Sequence, residues 1–457
     1  MQLRRHGLTA PAPVPVGDTG GNGRRQALPS HGIPRRLFAD RIAEALRSRG
    51  FEVVQSPACR LEPEFAAAVR DFEAAGCEAI ATLHLAYSPS LESIGPLSAT
   101  ALPLVVIDTT PDWDFDPATG IMPNHGIHGV QDFCNLLLRR GKPFLLSAGH
   151  WEKSDVLDRC ARQLRSAGMA WRIAHARVGK VGGDFDGMGD FRVPDGTFGM
   201  EIVEYTPQAA PTEAEIRAEL ALDRERFDWD EGMTEETLVR TLASSLKIRK
   251  WIEAERLDAF TIAFPGICRQ NGWETVPFLE CTKAMARGIG YAGEGDVLTA
   301  AFTRCVAGVF PETSFTEMFC PDWKCDRIFT SHMGEINMAV CSAKLNLHEM
   351  KYKFSDTGNP AVATGCLQSG PAVLADLAPG PDGTFSLIAV PVTFEAPEGP
   401  STKQNAGWFR PDRGSIADFL AAYSRAGGTH HLACAFHADT AVFRDWAELM
   451  KWKFVEL

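Results

Sequence analysis

No run of apolar residues in this chain approaches the ~18 to 20 that a membrane-spanning helix needs. Near the start stand Arg4 and Arg5, but Pro and Gly follow where a secretory leader requires an apolar stretch. An excess of positive charge is missing too: 46 Lys and Arg face 58 Asp and Glu, a net charge of −12. That balance argues against a nucleic-acid backbone or an anionic membrane as the main partner and leaves a neutral small molecule. The 12 cysteines form no framework. Cys320 and Cys325, in C-P-D-W-K-C, lack the C-x-x-C spacing of a zinc ribbon or redox couple. Reduced, mostly buried thiols are therefore expected, as is a cytoplasmic location. The Gly-rich run V-G-K-V-G-G-D-F-D-G-M-G-D-F contains neither the Gly-Lys-Ser/Thr of a P-loop nor a clean G-x-G-x-x-G between strand and helix. It reads as an irregular loop. Internal repeats are not visible, and no long low-complexity segment follows residue 30.

What is present points to a large soluble protein. At 457 residues the chain exceeds one ordinary core, and ~150 residues per domain suggests about three domains. Hydrophobic content of 45% and charged content of 23% are ordinary for a globular chain. Residues 1–30 are rich in Pro, Gly and Arg, and A-P-A-P-V-P-V is at most a Pro-interrupted edge strand. From Pro34 the pattern becomes regular. Leu37, Ile42, Ala45 and Leu46 mark a helix, and 51–54 a strand. Phe65, Val69 and Phe72 mark the next helix, followed by strands at 79–85, 102–107 and 143–147 and helices at 130–139 and 156–164. Alternation with short connections predicts βα units and a doubly wound parallel sheet. Ligands of such sheets lie beyond the C-terminal strand ends, where H-L-A-Y-S-P, D-T-T-P-D-W and S-A-G-H-W stand.

A second α/β stretch follows, with strands at 198–203 and 259–264 and helices at 212–227, 234–255, 278–288 and from Val297 onward. Asp296 is placed as the N-cap of that last helix. The final third reads as strands at 328–331, 386–394 and 431–436, with Gly/Pro-rich connections at 358–383 and 395–413 and a closing helix at 440–450. The fold class expected is thus α/β: an N-terminal α/β domain at 1–175, a central α/β domain at 176–320, and a β-rich C-terminal domain at 321–457 that completes a metal site.

Chemistry concentrates in residues 313–348, where T-S-F-T-E-M-F, S-H-M-G-E and L-N-L-H supply Glu317, Glu335 and His348. A-G-G-T-H-H adds His430 and His431. Two carboxylates and two imidazoles from separate segments suit a hard to borderline divalent cation such as Mn²⁺. The same carboxylates can move protons. Duller readings exist for single residues. A lone Glu is usually solvated, and Glu294 and Asp296 in Y-A-G-E-G-D are expected only to shape a helix start. His332 is expected to pack or hydrogen-bond behind Glu335, and the Trp residues to pack, with Trp151 the candidate for stacking on a sugar.

In chain order, Y-A-G-E-G-D-V-L-T-A-A-F, T-S-F-T-E-M-F, S-H-M-G-E, N-L-H and A-G-G-T-H-H resemble the bacterial L-arabinose isomerases. Upstream, H-L-A-Y-S-P, N-H-G-I-H-G-V-Q-D-F and S-A-G-H-W resemble that family's N-terminal domain, so the likeness spans about residues 80–435. The L-fucose isomerases are more distant relatives in fold and metal-carboxylate logic. The resemblance implies a metal-dependent aldose–ketose isomerase of carbohydrate metabolism, working through an enediol. It makes Glu317, Glu335, His348 and His431 the metal ligands, with Mn²⁺ the usual ion and Mg²⁺, Co²⁺ or Zn²⁺ as alternatives. Glu317 and Glu335 become the acid/base pair, and His430 lies on the substrate side. His128 is implied to reach a neighbouring subunit's site, hence a homo-oligomer, hexamer or trimer, with sites between subunits. The chain departs from the family in its shorter 317–335 and 335–348 intervals and in Gly334, where the family usually has a bulky residue. Altered sugar chemistry (an epimerase or lyase) and a non-catalytic sugar-binding protein therefore stay open as alternatives.

Overall fold

The computed structural model describes residues 35–397 and 404–457, so the Pro-rich segment considered as an edge strand lies outside the described residues. The chain divides into two compact units. One runs to Trp171 and takes in Glu448–Lys451; the other comprises Arg172–Ala447 and Trp452–Leu457.

The first unit contains α1 (Arg35–Arg47), α2 (Glu62–Ala74), β1 (Ile80–Leu83), α3 (Leu91–Ala99), β2 (Leu104–Asp108), α4 (Ile121–Asn124), α5 (Ile127–Arg139) and β3 (Phe144–Ala148). Helix α6 (Val156–Ala174) carries the chain into the second unit. Strands β1, β2 and β3 form a parallel sheet, with Ile80 opposite Leu104 and Leu104 opposite Phe144. The central strand buries Leu104, Val105, Val106 and Ile107, as a parallel strand covered on both faces must. Helix α5 packs Val130, Phe133 and Leu137 into the core at helical spacing. The expected strand at 51–54 is not formed; only Val54 is a bridge residue there, and only Val53 of the four is buried. Apolar β-branched residues need a partner ladder as well as propensity. Helix α3 was missed because Gly95-Pro96 reads as a breaker; burial of Ser93, Ile94 and Leu97 holds the turn regardless.

The second unit begins with β4 (Arg177–Val181), β5 (Glu201–Glu204), α7 (Glu213–Arg226), β6 (Asp228–Trp229), α8 (Glu235–Glu255), β7 (Ala259–Ile262), α9 (Phe278–Ala286), β8 (Gly290–Gly293) and α10 (Val297–Ala307). A parallel sheet runs in the order β5-β4-β7-β8. There follow β9 (Thr313–Asp322), β10 (Arg327–Ser331), β11 (Asn346–Glu349), β12 (Ala361–Thr364), β13 (Gly370–Pro379), β14 (Phe385–Phe394), β15 (Gly407–Pro411), α11 (Ile416–Ala426), β16 (His431–Phe436), α12 (Thr440–Met450) and β17 (Lys453–Glu456). The order β13-β16-β9-β10-β15-β14 closes on itself through the β13–β14 hairpin, and β17 adds to β14. This barrel-like sheet encloses Leu374, Val390, Phe394, Phe409, Leu432 and Phe436. A small sheet, β12-β11-β6, stands apart from it.

The structure thus bears out the expected class, parallel α/β sheets followed by a β-rich part. It corrects the connections at 358–383 and 395–413, which hold β12, β13 and β15. Gly370 and Pro379 bound β13, and the buried Asp376 interrupts its apolar run. Those punctuation residues hid a strand that pairs with β14 in a hairpin and with the more distant β16.

Three helices of the second unit are locked by charge. Arg249 on α8 meets Glu219 of α7 at 2.7 Å and Glu280 of α9 at 2.8 Å. Lys283 on α9 meets Glu219 at 2.7 Å and Asp223 at 2.8 Å, all but fully buried. Removing one member of a buried network strands the others. Lys283→Met is expected to cost about 3–5 kcal/mol in urea unfolding followed by tryptophan fluorescence. Arg217→Ala, on the exposed face of α7, is expected to leave the midpoint unchanged.

Candidate active site

Strand pairing brings the main candidates together. On the barrel, β9 lies between β16 and β10; His431 stands directly opposite Glu317, and Ser331 opposite Glu317 on the other side. His431 is fully buried, and its Nδ1 lies 2.9 Å from Asp296 Oδ2. The other oxygen of Asp296 accepts the Thr299 N–H at 2.8 Å, capping α10. One carboxylate therefore caps a helix with one oxygen and fixes an imidazole with the other. The expectation that Asp296 only shapes the helix start is corrected by this second contact, 135 residues away in sequence.

The Nε2 of His431 is buried without a hydrogen-bond partner, and Glu294 Oε2 lies 3.8 Å from it. His430 donates its backbone N–H to Asp190 Oδ2 at 2.9 Å, and its Nδ1 meets the same oxygen at 2.7 Å. Its Nε2 faces Glu294 Oε2 at 3.5 Å. Ligand atoms of Glu294, His430 and His431 all lie within 4.8 Å of one another. Phe191 stacks on the His431 ring at 5.1 Å.

Glu335 is buried between two donors: Tyr291 O–H at 2.5 Å from Oε1 and His332 Nδ1 at 2.7 Å from Oε2. The His332 ring lies 5.6 Å from that of His431, with Phe315 against both at 4.7 and 4.9 Å. Two glycines make room. A Cβ on Gly293 would lie 2.7 Å from His332 Cε1. Gly334 has φ +94°, and a Cβ there would lie 2.7 Å from the Phe278 ring, so a bulky residue does not fit at this position.

Burial and neighbouring charge set the protonation states. Burial raises the Glu317 carboxyl above its ordinary range, against the pull of His332 and His430. Burial pushes Asp296 up to about 7. Burial opposes charge on His430, but Asp190 and Glu294 prevail and raise it to about 10. Burial, then the charges of His332 and His430, hold His431 well below the usual imidazole value. The result is a neutral His431 imidazole beside the raised carboxyls of Asp296 and Glu317.

Of the residues singled out in the sequence, Glu317 and His431 face each other on paired strands, and Glu335 joins them through His332. His430 lies against Asp190 and Glu294. His348 lies on a different sheet from Glu317 and His431, buried on β11, with Nδ1 3.4 Å from Thr364 Oγ1. His128 belongs to the first unit, exposed on α5 beside His125 at 5.2 Å and Tyr87 at 5.1 Å. Trp151 packs edge-on against Phe38 at 5.9 Å. Sequence reasoning gave no role in the site to Glu294 and never raised Asp190. Glu294 had a usable signal, because G-E-G-D directly follows the C-terminal end of parallel strand β8. Asp190 had none, since its partner is 240 residues away.

These shifts set a spectroscopic expectation. Above about pH 7, where Asp296 is ionised, His431 is held as the neutral Nδ1–H tautomer. Because its pKa lies below the usual value, it stays uncharged on acidification through the range where free imidazole gains its proton. Histidine-selective ¹⁵N NMR checks both; a ring titrating near the ordinary value contradicts the assignment.

The family model for the L-arabinose isomerase central domain matches residues 199–310, and that for the L-arabinose isomerase C-terminal domain matches residues 312–453. L-arabinose isomerase 1 of Bacillus licheniformis is 28% identical over 418 residues, covering 84% of this chain and 81% of that protein. The L-arabinose isomerase of Geobacillus kaustophilus is 25% identical over 401 residues, 82% of this chain and 79% of its own. That of Thermotoga neapolitana is 24% identical over 459 residues, 91% and 88% of the two chains. With both domain models matched in sequence along the second unit, and relatives aligned over most of the chain, the protein belongs to the L-arabinose isomerase family.

Proposed function

We propose that the chain is a metal-dependent aldose–ketose isomerase, with a divalent cation of the Mn²⁺ class held at His431 and with Glu317 and Glu335 moving protons. One observation carries the metal: His431 offers a buried, unpartnered Nε2 while its Nδ1 is committed to the Asp296 carboxylate. Ligating imidazoles are oriented in this way. Glu317 fits as a companion ligand, being the cross-strand neighbour of His431. Each oxygen of Glu335 already accepts one hydrogen bond and keeps a lone pair for another contact. His348 enters the ligand set on the family resemblance alone.

The ion would supply positive charge to the two oxygens of a hydroxy-carbonyl substrate, lowering the barrier to removal of the adjacent C–H proton. Glu317, made more basic by burial, takes that proton from C2 and returns it to C1 through an enediol. Glu335 serves the oxygen protons, steadied by the Tyr291 hydroxyl and the His332 ring. Phe191 and Phe315 form an apolar wall beside the histidines. The relatives carry L-arabinose in their names, so that pentose is the first substrate to test. The shorter 317–335 and 335–348 intervals make hexoses and deoxy sugars the next ones. We place this activity in the cytoplasm, in a homo-oligomer whose copies share sites through His128, which is exposed as such a residue would be. Among the described residues no helix is long and apolar enough to cross a membrane.

Chelator-stripped protein is expected to lose turnover of L-arabinose and to regain it with Mn²⁺. Glu317→Gln is expected to lower kcat by about 100-fold or more, the scale of general-base catalysis. Sugar deuterated at C2 should lose label to water during conversion. Complete retention of the label at early turnover would rule out the enediol in favour of a hydride shift.

A further inference from the structure

The hydroxyl of Tyr352 takes no part in the chemistry of Glu317, Glu335 and His431. The residue is 7% exposed, and the oxygen is buried with no hydrogen-bond partner among the described residues. A buried phenol normally finds a partner, and one left without it needs an explanation. We propose that the Tyr352 hydroxyl is a specificity-determining group, which donates a hydrogen bond to a substrate hydroxyl beyond C2. The inference rests on the isomerase reading of the site and adds a contact that the resemblance does not imply.

Aromatic packing places the group. Tyr352 stands three residues beyond β11, and its ring meets Phe278 edge-on at 5.6 Å and Phe264 at 6.4 Å. Phe264 lies 6.5 Å from the His332 ring, and His332 holds Glu335. Phe264 follows the end of β7 by two residues, and Glu294 directly follows β8. The Tyr352 ring is thus packed at the carboxyl edge of a parallel sheet, where ligands of such sheets bind. The missing side chain at Gly334 leaves room for Phe278, and so for the tyrosine that leans on it.

The backbone fixes the ring without using its oxygen. The Tyr352 N–H donates to Asn359 Oδ1 at 3.2 Å, and the Asn359 amide donates to Glu349 Oε1 at 2.9 Å. Thr237 of α8 donates its hydroxyl to the other Glu349 oxygen at 2.6 Å, and the Met350 N–H reaches Pro360 O at 3.0 Å. A side chain held in this way loses little further freedom when a ligand arrives.

The chemistry of the neighbours sets the role. Burial first, then the charges of Glu335 and Glu294, raise the phenol above its ordinary pKa, so it stays an O–H donor. Both carboxylates belong to the site, and the hydroxyl lies within their electrostatic reach. In the proposed reaction O1 and O2 are engaged by the ion and by Glu335. The donor that remains serves an oxygen farther along the sugar. A substrate lacking that oxygen leaves the donor unpaired and is disfavoured.

The test uses Mn²⁺-loaded full-length Tyr352→Phe, which keeps the ring packing and removes one oxygen. Its thermal midpoint is expected to equal or exceed that of wild type, because the lost group had no partner. With L-arabinose, KM should rise about tenfold while kcat changes little, as for a contact made equally in the ground and transition states. The penalty should vanish for one of 3-deoxy-, 4-deoxy- and 5-deoxy-L-arabinose and persist for the other two. Wild-type KM in the variant, or an equal penalty on all three deoxy sugars, would overturn the proposal; a lowered midpoint would mark the hydroxyl as structural instead. Calorimetric binding of L-arabitol, which has no carbonyl to isomerise, separates this contact from the reaction. Should wild type convert no aldose yet bind the pentitol about tenfold more tightly than the variant, the contact stands and only the isomerase reading falls. Equal pentitol affinities overturn the contact whatever the turnover shows, and neither conversion nor binding overturns both.

Discussion

The contact between Asp296 and His431 joins the helix that ends the parallel sheet to the wall of the barrel. Asp296 caps the helix that follows the parallel sheet, and His431 opens a strand of the barrel. Both side chains are fully buried, so neither has solvent as an alternative partner. A buried carboxylate without a donor is costly, and so is a buried imidazole with both nitrogens unserved. The pairing relieves both costs at Nδ1 and leaves one unmet demand, at Nε2. The chemistry of the site starts from that residual demand.

Around this contact the electrostatics divide labour among similar groups. Asp190 and Glu294 favour the protonated form of His430, while burial keeps His431 neutral. Adjacent histidines therefore differ in charge because one reaches carboxylates near solvent and the other lies inside the barrel wall. Glu317 and Glu335 differ likewise. Burial makes Glu317 more basic, whereas Glu335 is held by a tyrosine and a histidine. Groups of one kind in unlike surroundings take unlike roles in proton transfer.

Helices and parallel strands were legible because their signals are local. The periodicity of Val130, Phe133 and Leu137 predicts α5, and the apolar block ending at Ile107 predicts β2. Barrel strands were less legible. Small residues in β13 and the Gly and Pro ends of β15 resemble loop composition, and pairing within the barrel makes them extended, β13 with β14 and β16 and β15 with β14 and β10. Among site residues, Glu317 and His431 could be named from motif and residue type. Glu294 and Asp296 sat in a stretch whose local reading, a helix start, was sufficient by itself and so concealed a second role.

What the sequence alone determined is the alternation of strands and helices, the resemblance to a sugar-isomerase family, and the short list of carboxylates and imidazoles near residues 313–348 and 430–431. These depend on spacing and side-chain chemistry, which a linear string records. Only the tertiary structure decided how those groups are placed: His431 with Glu317 across a strand pair, His430 against Asp190, and His348 on the small β12-β11-β6 sheet. Such choices follow from strand register and burial, which couple residues more than a hundred positions apart and leave no trace in local composition.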